Sequence, residues 1–120
     1  MKRPISEVKA EFFKTLSHPA RIRVLELLRN GRMGVSELIP KVGLEPSHLS
    51  QQLSALKRAN IVESRKKGST VYYSVSDPRI FELLEVAKQL IASSLNEARE
   101  LLEEMESPDE VVEASPAREG

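Results

Sequence analysis

The chain of 120 residues has no cysteine, no tryptophan, only five glycines and no long apolar run. Without cysteine there is no disulfide, no thiolate metal site and no thiol redox chemistry. A bilayer crossing takes about 20 consecutive apolar residues. None of that length occurs, and the charged start of the chain is not followed by an apolar stretch of signal-peptide type, so the cytoplasm is the expected location. Also missing are a glycine-rich phosphate loop, a serine with a partnered histidine at elbow spacing, and a compact carboxylate pair between strands. These features carry much of nucleophilic, phosphoryl-transfer and acid–base catalysis, so an enzyme is not expected.

What is present is charge, unevenly placed. The formal net charge is zero, yet residues 1–76 hold 14 Lys and Arg against 6 Asp and Glu, and residues 77–120 hold 4 against 12. The first part is +8 and the second −8. A basic body attracts phosphate through Coulomb force and counterion release, which the overall balance hides.

Helical spacing of Ile5, Val8, Phe12, Phe13 and Leu16 predicts a first helix after Pro4. Ser17 and His18 then read as a cap, with Pro19 in the first turn of a second helix that carries Ile22, Val24, Leu25, Leu27 and Leu28 and stops at Asn30-Gly31. His18 is expected to be partly buried or capping. Val35, Leu38, Ile39 and Val42 give a third helix between Gly34 and Gly43. A fourth, opened by Pro46 and ended by Asn60, buries Leu49, Leu53 and Leu56. The third and fourth, joined by Gly43-Leu44-Glu45, form a helix-turn-helix.

The opposite side of the fourth helix carries Ser47, His48, Gln51, Ser54 and Arg58 and no acid. Short hydroxyl, amide and imidazole groups exchange hydrogen bonds with base edges, so this face suits the major groove. His48 serves there as a charged phosphate contact or as an uncharged donor. Behind it, Ile61 to Arg65 and Val71 to Val75 alternate as two strands joined by Lys66-Lys67-Gly68-Ser69, a basic hairpin. An ordinary amphipathic helix with a solvated hairpin is the plainer reading, but the acid-free face beside clustered cations favours DNA.

From Asp77, a helix cap before Pro78, the pattern becomes one long acidic helix. Leu84, Ala87, Ile91, Ser94, Ala98, Leu101 and Met105 step by threes and fours, with Ile80 leading the stripe. Packing on its own domain is one use for such a face. A homodimer interface, with Phe12 or Phe13 contributing beside Leu84, Ala87, Ile91 and Ala98, accounts for more of it. Residues 1–106 are expected to form one DNA-binding and dimerisation domain, and residues 107–120 a disordered acidic tail.

Four stretches in order, Leu16 to Leu28, Val35 to Leu38, Ser47 to Leu56, and Gly68 with Tyr72-Tyr73, resemble the ArsR/SmtB family of bacterial winged helix-turn-helix repressors over residues 8–95. The resemblance implies a mainly α fold, α1-α2-α3-α4-β-β-α5, dimerising through α1 and α5 and blocking transcription from a palindromic operator until an inducer binds. It implies that Ser47, His48, Ser50 and Gln51 face bases or nearby phosphates, and that Arg65, Lys66 and Lys67 face the flanking backbone. Ser54, Arg58 and Thr70 complete the expected DNA-binding set.

The family's metal sites do not carry over. Its Cys-x-Cys falls on Gly34-Val35-Ser36, and its second site falls on Asp77, Arg79, Leu90 and Ser93, of which only Asp77 keeps a ligand atom. No metal and no cofactor is expected. Glu97, Glu100, Glu103 and Glu104 could hold a harder cation across a dimer, though a solvated acidic face is the commoner use. A small-molecule effector stays open, as does a rival reading in which the long acidic helix makes the chain a protein-binding module. That rival leaves Arg58, Arg65, Lys66 and Lys67 without a purpose.

Overall fold

A computed structural model describes residues 2–105. The expected tail, 107–120, lies outside them. The order is α1 (Ile5–Thr15), α2 (Pro19–Leu27), a 3-10 turn (Leu28–Asn30), β1 (Met33–Gly34), α3 (Val35–Val42), α4 (Pro46–Arg58), β2 (Val62–Lys67), β3 (Thr70–Val75) and α5 (Arg79–Met105). The chain divides into two compact units, Met1–Leu83 and a second that begins at Leu84.

In the first unit the apolar stripes converge. Val24, Leu25, Leu38, Leu49, Leu53, Leu56 and Val62 are almost completely buried, and Leu16, Leu28, Ile61 and Ile80 close the core around them. Burying such side chains contributes about 1.5–3 kcal/mol each, which outweighs the indifferent helix propensity of α2 and α3. Here α1 differs. It has no buried residue of its own, and Ile5, Val8 and Phe13 are exposed.

Several local expectations are corrected. Ser17 does not cap α2; its hydroxyl donates to the Lys14 carbonyl at the end of α1. His18 occupies the N-cap position in extended conformation but makes no capping bond and is exposed. The helix that follows starts on Pro19, whose missing N–H needs no partner there.

The sheet has three strands rather than two, in the order β1-β3-β2 and antiparallel throughout. Met33 and Gly34 pair with Tyr73 and Tyr72, a ladder too short to leave any alternation in sequence. Gly34 packs closely, since a Cβ there would stand 3.1 Å from the Thr70 Cγ2 and push that methyl back by a few tenths of an ångström. The hairpin is also longer than expected. Lys66 and Lys67 belong to β2, and the turn is Gly68-Ser69 alone, with Lys67 opposite Thr70. Gly68 has φ +64°, the left-handed geometry that a tight two-residue hairpin turn demands.

The long helix α5 begins where Asp77 accepts the Arg79 backbone N–H at 2.9 Å. In the second unit, Val86, Leu90, Ile91, Leu95, Leu101, Leu102 and Met105 are exposed, and Ala87 and Ala98 lie exposed among them. Leu84 is half-buried.

Candidate nucleic-acid interface

The candidate surface is built on α4. Burial of Leu49, Leu53 and Leu56 fixes the rotation of this helix and so turns Ser47, His48, Ser50, Gln51, Ser54 and Arg58 outward, all exposed. Ala59 and Asn60 end it, Asn60 at φ +61°. The six side chains share one solvent face without a carboxylate among them, as the period implies.

The wing carries its cations on two faces. Residues directly opposite across an antiparallel pair point the same way, so the register places Glu63, Arg65, Lys67, Thr70, Tyr72 and Ser74 on one face and Val62, Ser64, Lys66, Val71, Tyr73 and Val75 on the other. Val62 is buried, so the second face is the one turned toward the core. Thr70 is half-buried with its methyl against Gly34, and it therefore braces the base of the turn. Arg65, Lys66 and Lys67 are exposed.

Glu63 shares the face of Arg65 and Lys67 but is not ion-paired with either. Among the described residues the ion pairs join Arg3 to Glu7 and Glu11, and Arg79 to Asp77. None includes Arg58, Arg65, Lys66 or Lys67. Hydrogen bonding by Arg79 holds the Asp77 carboxyl at about 2, below its ordinary 3.8. Asp77 is thus occupied as a cap and ion-pair partner. Among the described residues no group of three or more His, Asp or Glu gathers to hold a metal ion.

Four side chains that position this surface escaped the sequence reading. Arg21 of α2 donates from Nε to the Gln52 Oε1 at 2.7 Å and from Nη1 to the Thr15 carbonyl at 3.1 Å. Lys57 at the end of α4 donates to the Ser64 hydroxyl of β2 at 2.7 Å. The Arg32 guanidinium lies over the Tyr72 ring, 4.5 Å from its centroid, so it joins the face of Arg65 and Lys67. Gln52 and Lys57 sit at the edges of the apolar stripe, the only hint that they bond to neighbouring elements.

A cavity of about 380 Å³ opens elsewhere in the first unit, with Phe12, Ile61, Ile80 and Leu83 as apolar walls and Asn60, Asp77 and Arg79 as polar ones. Phe12 is half-buried, and its ring meets that of Phe13 edge to face with centroids 5.5 Å apart.

Comparison with known proteins agrees with this architecture. The family model described as bacterial regulatory protein, arsR family, matches residues 18–64. The HTH-type transcriptional regulator Rv0081 of Mycobacterium tuberculosis is 50% identical over 103 residues, 85% of this chain and 90% of that protein. Its crystal structure matches with a TM-score of 0.75 over 81% of this chain and 98% of that one. A biofilm growth-associated repressor of Agrobacterium fabrum is 35% identical over 71% of this chain and 72% of its own length. The homodimeric winged helix-turn-helix DNA-binding domain Mb0332 of Mycobacterium bovis, solved in solution, matches at 28% identity and a TM-score of 0.64, over 71% of this chain and 82% of that one.

Proposed function

This chain belongs to the ArsR family of bacterial transcriptional regulators, and from that premise we propose that it acts in the cytoplasm as a homodimeric repressor of a palindromic operator, released when a small effector binds. Regulators of this family are DNA-binding proteins and not enzymes.

The observation that carries the reading is the exposed, acid-free face of Ser47, His48, Ser50, Gln51, Ser54 and Arg58 beside a wing whose Arg65, Lys66 and Lys67 form no ion pair among the described residues. A helix with that surface inserts into the major groove, where polar side chains discriminate bases, while the wing cations take phosphates. Repression is the role named for the Agrobacterium relative, and a homodimer is the state named for the Mycobacterium bovis neighbour. Pairing through Phe12, Phe13, Leu84, Ala87, Ile91 and Ala98 would cover exposed apolar surface on α1 and α5, and a two-fold dimer reads a two-fold operator. The cavity beside Phe12 and Leu83 has the size and the mixed lining of a small-molecule site, which supports an organic effector.

Selection of duplexes from a randomised pool tests the proposal. The expected product is an inverted repeat whose half-sites lie about one helical turn apart. Failure to enrich any sequence, or enrichment of an asymmetric single site, would overturn it.

A further inference from the structure

The reading helix is tied to the end of α1 by one side chain. Arg21 bonds Gln52 on α4 and the carbonyl of Thr15, the last residue of α1, through two donors of a single guanidinium. Those donors are held in one rigid plane, so the two bonds together set the displacement and tilt of α4 relative to the α1 terminus. Both Arg21 and Gln52 are half-buried, which reduces competition from water. The carbonyls of a last helical turn have no partner within the helix, so Arg21 also satisfies a group that would otherwise need solvent. Gln52 neighbours Gln51, which lies on the outward face, so a rotation that frees Gln52 turns Gln51 as well.

We infer that Arg21 is a positioning residue for DNA reading, acting through Gln52 to hold the outward face of α4 in register with the bases. It adds a residue outside the contact surface to the proposed function and rests on that reading. The arrangement gives a directional consequence. Phosphate contacts tolerate small rotations of a helix, whereas bonds to base edges do not. Loss of the Arg21 bond therefore costs discrimination and leaves general attraction to DNA intact. Lysine cannot replace arginine fully, because one ammonium does not present two donors in a fixed plane.

The test uses the full chain and two probes: a duplex selected from a randomised pool by the wild-type protein, and a scrambled duplex of the same length and composition. Arg21→Met and Gln52→Leu should each weaken the selected duplex by about tenfold, the worth of one well-made bond. The scrambled duplex should change by less than about twofold and keep its salt slope. The double variant should bind no more weakly than Arg21→Met alone, because the bond to Gln52 is already gone from that variant. Arg21→Lys should fall between Arg21→Met and wild type. Gln52→Leu carries the test if Arg21→Met loses its fold. An equal fall on both duplexes, with a salt slope smaller by about one, would mean that Arg21 touches phosphate directly and would overturn the inference. So would additive losses, or unchanged binding of the selected duplex. Failure of wild type to select any duplex would sink the DNA reading along with it, a distinct result from wild-type selection that the variants share.

Discussion

Lys66 and Lys67 are neighbours in sequence but point to opposite faces of the wing, Lys67 with Thr70, Tyr72 and Arg65, and Lys66 with Val71 and Ser64. The Arg32 guanidinium stacked on Tyr72 adds a third cation to the Lys67 face. Clustered cations release more condensed counterions than a lone one, so the two lysines should not be equivalent. Lys67→Ala is expected to weaken specific and random duplexes alike and to lower the salt slope by about one, while Lys66→Ala changes it by less. Titrations of both variants at several salt concentrations check this.

Gln51 stands exposed on the outward face of α4. Replacing it with alanine should cost about 1–3 kcal/mol on the specific duplex and far less on random DNA. Equal losses on both would show that bases are read elsewhere.

Ile91 is 60% exposed at the centre of the α5 stripe. If that stripe is the dimer interface, Ile91→Glu buries an unpaired charge there, and sedimentation should find monomers. Operator affinity should drop with it, since one half-site alone no longer holds the register. An unchanged dimer would place the interface elsewhere.

Asp77 couples the start of α5 to pH. Its carboxyl is held at about 2 by the Arg79 side chain and backbone N–H, against 3.8 in the unfolded chain. A depressed folded value means that the stabilisation is present above the unfolded value and lost as pH falls through the folded one, here between about pH 4 and pH 2. Asp77→Ala should therefore melt below wild type at neutral pH, and the gap should close as pH approaches 2. A gap that persists unchanged across that range would assign the effect to something other than the carboxylate charge.

Thiophilic metals should leave DNA binding alone. Soft ions select thiolate, which the chain lacks, and Asp77 is already engaged by Arg79. Operator affinity of chelator-treated protein should match that of protein given stoichiometric zinc, cadmium or arsenite within about threefold. A tenfold change at micromolar metal would contradict this and direct attention to His18 and the acids Glu97 to Glu104.

The sequence by itself determined the elements whose signals lie within a few residues. Leucines at helical spacing and Pro46 set the rotation and start of α4, Gly34 and Gly43 bracket α3, and Asp77 opens α5. Because the buried stripe of α4 decides its exposed face, the outward side chains from Ser47 to Arg58 were legible at the same time. Tertiary structure alone decided the rest. The two-residue strand β1 exists only because Tyr72 and Tyr73 come alongside Met33 and Gly34, and the split of Lys66 from Lys67 follows from a register that the turn at Gly68 sets. Arg21 and Gln52 are 31 positions apart, and nothing in either neighbourhood names the other. Periodicity and backbone preference act over one or two turns of chain, whereas a hydrogen bond between distant side chains depends on which surfaces the packed core brings within 3 Å.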